Sequence, residues 1–150
     1  NKKEDDARRH YFRIIEKEER LDQVLTVMGT VPINLTIDEK ILKLKEISSI
    51  NLDESETDNE TKLTKFISVA SDKNIAVQSE IFDMIRCTIL ERVGSKILIK
   101  ESGDVIGNRL LEAVLWMQDK ANAVQVNVLR AMHDEFGKKV KKPIPAITEE

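Results

Sequence analysis

The chain of 150 residues is 41% hydrophobic, 34% charged and 4% aromatic, with five glycines and three prolines. That balance suits one helical domain, or one with an appendage, and argues against both a disordered chain and a sheet sandwich. A formal net charge of −3 offers no basic surface for phosphates, so direct nucleic-acid binding is not expected.

The chain opens on NKKEDDARR without Met, which reads as part of something longer. Start and stop signals predict a first helix over residues 5–28, with Asp5 or Asp6 as N-cap. It carries the stripe Ile14, Leu21, Val24, Leu25 and Met28, and Gly29 suits the left-handed residue beyond its end. After Pro32, Thr36-Ile37-Asp38-Glu39 spells a capping box. The helix it opens has Ile37, Ile41, Leu44 and Ile47 on one side and Lys40, Lys43 and Lys45 in water. Residues 48–60 contain DESETDNE, too acidic for core. A single helical turn anchored by Ile50 and Leu52 fits there.

Leu63, Phe66, Ile67 and Ala70 fall at i, i+3, i+4 and i+7 and predict a helix over 61–70. Asp72 caps the next, over 73–93, with a broad face of Val77, Ile81, Met84, Ile85 and Ile89, ended by Gly94. KILIKESGDVI alternates like a strand but has no evident partner, and is read as a loop or helical turn.

The longest helix is predicted over 108–136, roughly 40 Å at the usual rise. Leu110, Val114, Met117, Ala121, Val124, Val128 and Ala131 follow 4-3-4-3 spacing beside Leu111, Leu115, Leu129, Met132 and Phe136. So wide an apolar face packs on its own domain or on a second chain. Gly137 is expected to stop the helix, leaving 137–150 as a flexible tail. Lys138, Lys139, Lys141 and Lys142 there complement the helix dipole, with nuclear import or a nucleic-acid contact as the alternative.

The resulting expectation is an all-α, compact bundle with an additional long C-terminal helix: residues 1–94 as the bundle, 95–136 as linker and long helix, and 137–150 as tail. Asn34-Leu35, then Ile41, Leu44, Glu46, Ile47, Ser48, Ser49 and Ile50, followed without a gap by Thr61, Leu63, Ile67 and Ala70, carry a family resemblance. The pattern resembles the integrase-binding domain of lens epithelium-derived growth factor and its hepatoma-derived relatives, over roughly residues 20–93. The same right-handed helical fold occurs in the N-terminal domains of transcription elongation factors of the S type.

The resemblance implies a non-catalytic adaptor of a chromatin-associated nuclear protein, of the kind that also carries a PWWP domain. It would recruit partners through short disordered peptides, whose aromatic anchor enters a pocket between two interhelical loops. Here those loops are Pro32, Ile33 and Asn34, and Lys73, Asn74 and Ile75. Ile33 stands where the family has an acidic contact, Lys73 where it has a large aromatic, and Ser71 and Asp72 replace basic residues, which points to a different ligand. The plain alternative for Ile33 and Ile75 is that they close the loop end as core. An elongation-factor-type domain is a further alternative.

A different reading makes the chain a homodimerisation module through Leu110, Val114, Met117, Ala121, Val124 and Val128. Trp116 lies off both stripes, as a surface residue or an interface anchor. No catalytic set is evident. His10 and His133 are far apart in sequence and read as solvated, Cys87 has no histidine near it in sequence, and Glu16, Glu18 and Glu19 read as a wet helix face. The single cysteine forbids an intrachain disulfide, and no cysteine-based zinc site is expected from it. No apolar run approaches the roughly 18 residues of a membrane span. Neither an enzyme, a metal, a cofactor nor a membrane is therefore expected.

Overall fold

The computed structural model describes residues 2–48 and 57–141; the expected turn around Ile50 and Leu52 and the tail from residue 142 lie outside the described residues. The protein is predominantly α-helical, as its composition suggests. Helices α1 (Lys2–Ile15), α2 (Glu18–Val27), α3 (Ile37–Ser48), α4 (Thr57–Ala70) and α5 (Ile75–Arg86) come first. Strands β1 (Leu90–Val93), β2 (Lys96–Ile99) and β3 (Val105–Gly107) follow, then α6 (Leu110–Gln118) and α7 (Ala123–Lys141). The chain forms two compact units, residues 1–82 and 83–150, divided within α5.

In the first unit α1 packs on α2 and α4, and α3 on α2 and α4. Ala7, Tyr11 and Ile14 recur at helical spacing and meet Leu21, Val24, Leu25, Leu44, Leu63, Phe66, Ala70 and Ile75 in one core. Phe66 is fully enclosed, a burial worth about 2–3 kcal/mol.

The single helix expected over 5–28 is two helices. Lys17 is extended at φ −132 and ψ 120. Breaking there lets α2 fold back on α1, so that Ile14 and Leu21 share one core, while the charged residues around the break stay wet. The first helix also begins earlier than Asp5. That residue and Asp6 form ion pairs with Arg8 and Arg9 one turn on.

Gly29 behaves as expected, at φ 99. Thr30 N–H donates to Leu25 O at 2.8 Å and Gly29 N–H to Thr26 O at 3.1 Å, the paired bonds of a Schellman motif. The capping box is formed reciprocally: Glu39 N–H donates to Thr36 Oγ1 at 3.1 Å and Thr36 N–H to Glu39 Oε1 at 2.8 Å. On α3, however, the pattern is rotated from the expected one. Lys40, expected in water, is only 5% exposed, whereas Ile37 is 52% exposed. Lys40 turns inward because Glu18 Oε2 and Asp22 Oδ1 each lie 2.7 Å from its Nζ.

Helix α4 begins at Thr57, so it takes in part of the acidic connector. Its end is tied to α2 by Arg20, whose Nη2 donates to Ala70 O at 2.9 Å. Asp72, expected as the cap of α5, stands two residues outside Asn74, whose carbonyl takes the first helical bond; its carboxylate braces the entry instead, accepting from Asn74 N–H at 2.8 Å and from Gln78 Nε2 at 2.6 Å.

In the second unit, α5 stops at Arg86 rather than continuing to Val93. Thr88 turns the chain at φ 61, and residues 90–93 become the missing partner of the alternating KILI segment. The loop reading is thereby corrected to a three-stranded antiparallel sheet in the order β1-β2-β3. Gly94, read as the end of the bundle, is the first residue of a two-residue hairpin turn at φ 63, the backbone that primed turns demand. Leu90, Ile97 and Ile106 are buried, and β2 and β3 pack against α6. At Gly107 the approach is closest: a Cβ there would stand 2.4 Å from Ala113 N.

The continuous helix expected over 108–136 is interrupted. Asp119 is extended at φ −76 and ψ 125 and its carboxylate accepts from Ala121 N–H at 2.9 Å, opening a 3-10 turn over Lys120–Asn122. Asn122 Nδ2 donates back to Trp116 O at 3.0 Å. The helix also passes through Gly137 to Lys141, where a stop and a tail were expected.

Candidate functional site

The two loops expected to form a docking site differ in character. Between α2 and α3, Pro32 is half-buried, Asn34 is exposed, and Leu35 N–H donates to Pro32 O at 3.0 Å. Val31, Ile33 and Ile37 are 49%, 36% and 52% exposed, so three aliphatic side chains face solvent within seven residues. Between α4 and α5, Lys73 is exposed and Asn74 half-buried. Ile75 is only 1% exposed within the core and is unavailable to a ligand: it takes the core alternative.

The expected dimer stripe is likewise divided, because Asp119 ends the register that would have kept it on one face. Leu110 is half-buried, and Val114 and Met117 are buried within the second unit. Beyond the break Ala121 is exposed, and Val124 and Val128 are 78% and 55% exposed. The inward side of α7 is instead Val126 and Leu129, with His133 partly exposed on the next turn. A hollow of about 600 Å3 along α4 is lined by Thr61, Thr64, Lys65, Ser68 and Val69. All five come from one helix, so it has no opposing wall among the described residues.

One constellation was not visible in the sequence. Asp83 and Cys87 stand one turn apart, and Cys87 N–H donates to Asp83 O at 2.9 Å, so helical geometry carries both side chains to the same face. His133 reaches them from α7. Its Nε2 lies 2.5 Å from Asp83 Oδ2, and Arg86 Nε donates to the other oxygen, Oδ1, at 2.8 Å. The hydrogen bond from His133, helped by Arg86 and opposed by burial, holds the Asp83 carboxyl below its ordinary pKa. An ionised carboxylate only accepts, so Nε2 carries the hydrogen.

Cys87 is buried, and burial together with the Asp83 charge pushes its thiol pKa up. Burial of this kind disfavours the thiolate, the nucleophilic form of the group. The cluster does bring a thiol sulfur, an imidazole nitrogen and a carboxylate oxygen within 4.8 Å of one another. His133, read as solvated, and Cys87, read as remote from any histidine, are thus neighbours. The usable sequence signal was Asp83-x-x-x-Cys87 on a helix, together with a His133 spaced from Val126 and Leu129 to share their face.

No family model, curated protein or solved structure matches the chain.

Proposed function

We propose that the first unit is a non-catalytic docking module that holds a short apolar-anchored peptide of another protein against the link between α2 and α3. The observation that carries this reading is the exposure of Val31, Ile33 and Ile37 on a link whose ends are fixed by hydrogen bonds. A preorganised apolar loop loses little conformational freedom when it captures a flexible chain. The sequence resemblance at Asn34-Leu35 and onward through Ala70 supports a nuclear, chromatin-associated setting. Ile33 in place of an acidic contact favours an apolar complement over a hydrogen-bonded one.

The test is capture from nuclear extract, identification of the captured protein, and mapping of its bound segment to a peptide. Val31→Asp with Ile33→Asp, shown folded by circular dichroism, is expected to lose that peptide. Undiminished binding by the folded double variant counts against the module.

Self-association through the second unit is the second reading, favoured by the exposure of Leu111, Leu115, Val124 and Val128. Light scattering separates the two. A mass that rises with concentration, and returns to one chain in Val124→Lys with Val128→Lys, supports assembly; a single-chain mass at every concentration removes it.

A further inference from the structure

We propose that Asp83, Cys87 and His133 form a binding site for a borderline-soft divalent cation, Zn2+ above all. The site lies in the second unit and does not depend on the docking reading. Three donors of different kinds meet there from the end of α5, the turn after it and α7, within 4.8 Å of one another. Thiolate, imidazole and carboxylate together are the donor set that Zn2+ takes, whereas Mg2+ and Ca2+ prefer oxygen alone.

The geometry needs little change. Zn2+ bonds sulfur at about 2.3 Å and nitrogen or oxygen at about 2.0–2.2 Å, so tetrahedral donors stand roughly 3.3–3.7 Å apart. Cys87 Sγ lies within 4.8 Å of the other two donors and would close on them by up to roughly 1 Å. His133 Nε2 and Asp83 Oδ2, now 2.5 Å apart across a hydrogen bond, would separate by roughly 1 Å as the cation takes the place of the shared proton. The backbones of Asp83 and Cys87 are held together by the Cys87 N–H to Asp83 O bond at 2.9 Å, so the adjustment falls to the side chains. Arg86 holds Oδ1 at 2.8 Å and leaves Oδ2 aimed at His133, the kind of outer contact that orients a ligating carboxylate.

Proton balance is simple. Coordination forms a sulfur–metal bond and releases the thiol proton to solvent. Nε2 gives up its hydrogen as well, to solvent from an imidazolium or by relocation to Nδ1 in the neutral ring. Thiolate and carboxylate then balance the cation's two charges, and three protein donors leave the fourth position to water or an added ligand, as in open zinc sites.

The test uses the full chain, stripped with chelator and titrated with Co2+ as a spectroscopic stand-in. The expected result is a thiolate-to-Co2+ charge-transfer band with tetrahedral visible absorption, saturating at one equivalent and displaced by Zn2+. Cys87→Ser should lose the charge-transfer band. His133→Gln, at a partly exposed position, should keep the helical spectrum and bind more than about tenfold more weakly. Co2+ bound to the unaltered chain without a thiolate band overturns the proposal, and so does equal affinity in the folded His133→Gln chain.

Discussion

Lys40 Nζ lies 2.7 Å from Glu18 Oε2 and joins α3 to α2 through a cation that water barely reaches. The same Nζ stands 2.7 Å from Asp22 Oδ1. That oxygen is buried and has no well-angled donor, so Lys40 serves it as a counter-charge more than as a hydrogen-bond partner. Burial works to lower the Lys40 pKa, but the Asp22 and Glu18 carboxylates beside its Nζ outweigh it and leave the pKa raised.

Lys40→Met keeps the apolar stem and deletes the charge, stranding Asp22. The expected loss is about 1–3 kcal/mol, below the figure for a wholly buried pair because both carboxylates are partly solvated. Urea denaturation of the two chains measures it.

The sign of the pH effect follows. A raised folded pKa contributes stability that is complete below the unfolded value of 10.5 and is lost as pH rises through the folded value above it. The gap between wild type and Lys40→Met should therefore be constant from pH 7 to 9 and narrow in strong alkali. A gap that widens there would contradict the pairing.

Thr36→Ala removes one half of the reciprocal cap on α3 and should cost about 1 kcal/mol. Combined with Glu39→Ala, the two losses should sum to a non-additive total, since each bond orders the other. Strict additivity in the denaturation midpoints would show that the box is not cooperative.

Gly107 and Gly137 should respond in opposite directions to alanine. At Gly107 the new Cβ meets Ala113 N and Arg109 O, both backbone, so β3 and α6 must part, at an expected cost of about 1–3 kcal/mol. At Gly137 nothing lies within 4 Å and α7 is continuous, so alanine should stabilise by up to about 1 kcal/mol. Thermal melts of both variants test the pair.

Thr88 holds φ 61, costly for a β-branched side chain, although its hydroxyl donates to Cys87 O at 2.6 Å. Thr88→Gly should relieve about 1 kcal/mol of backbone strain after the loss of that bond. A lower melting temperature in that variant would mean the hydroxyl contact outweighs the strain.

What the sequence disclosed was governed by how local its cause is. Gly29 and the Thr36–Glu39 pair act within a few residues, and both form as their chemistry dictates. Lys40 looked wet because its partners lie on another helix. Residues 90–93 read as the end of a helix because the periodicity of Val77, Ile81, Met84, Ile85 and Ile89 flows smoothly toward them, and Thr88 is no recognised breaker. At the candidate sites, Ile33 could be placed on its loop, but whether Ile75 faced in or out depended on packing. His133 and Asp83, 50 residues apart, have no local signal that joins them.

A straight helix would commit every member of the Leu110-to-Ala131 register to one direction. The extended residue at Asp119, whose carboxylate accepts from Ala121 N–H while Asn122 Nδ2 reaches back across it to Trp116 O, works as a fixed elbow. One apolar rhythm thereby serves two masters: before the elbow it seals the sheet, and after it the same rhythm is handed to the solvent, leaving the opposite side of α7 to bring His133 to Asp83.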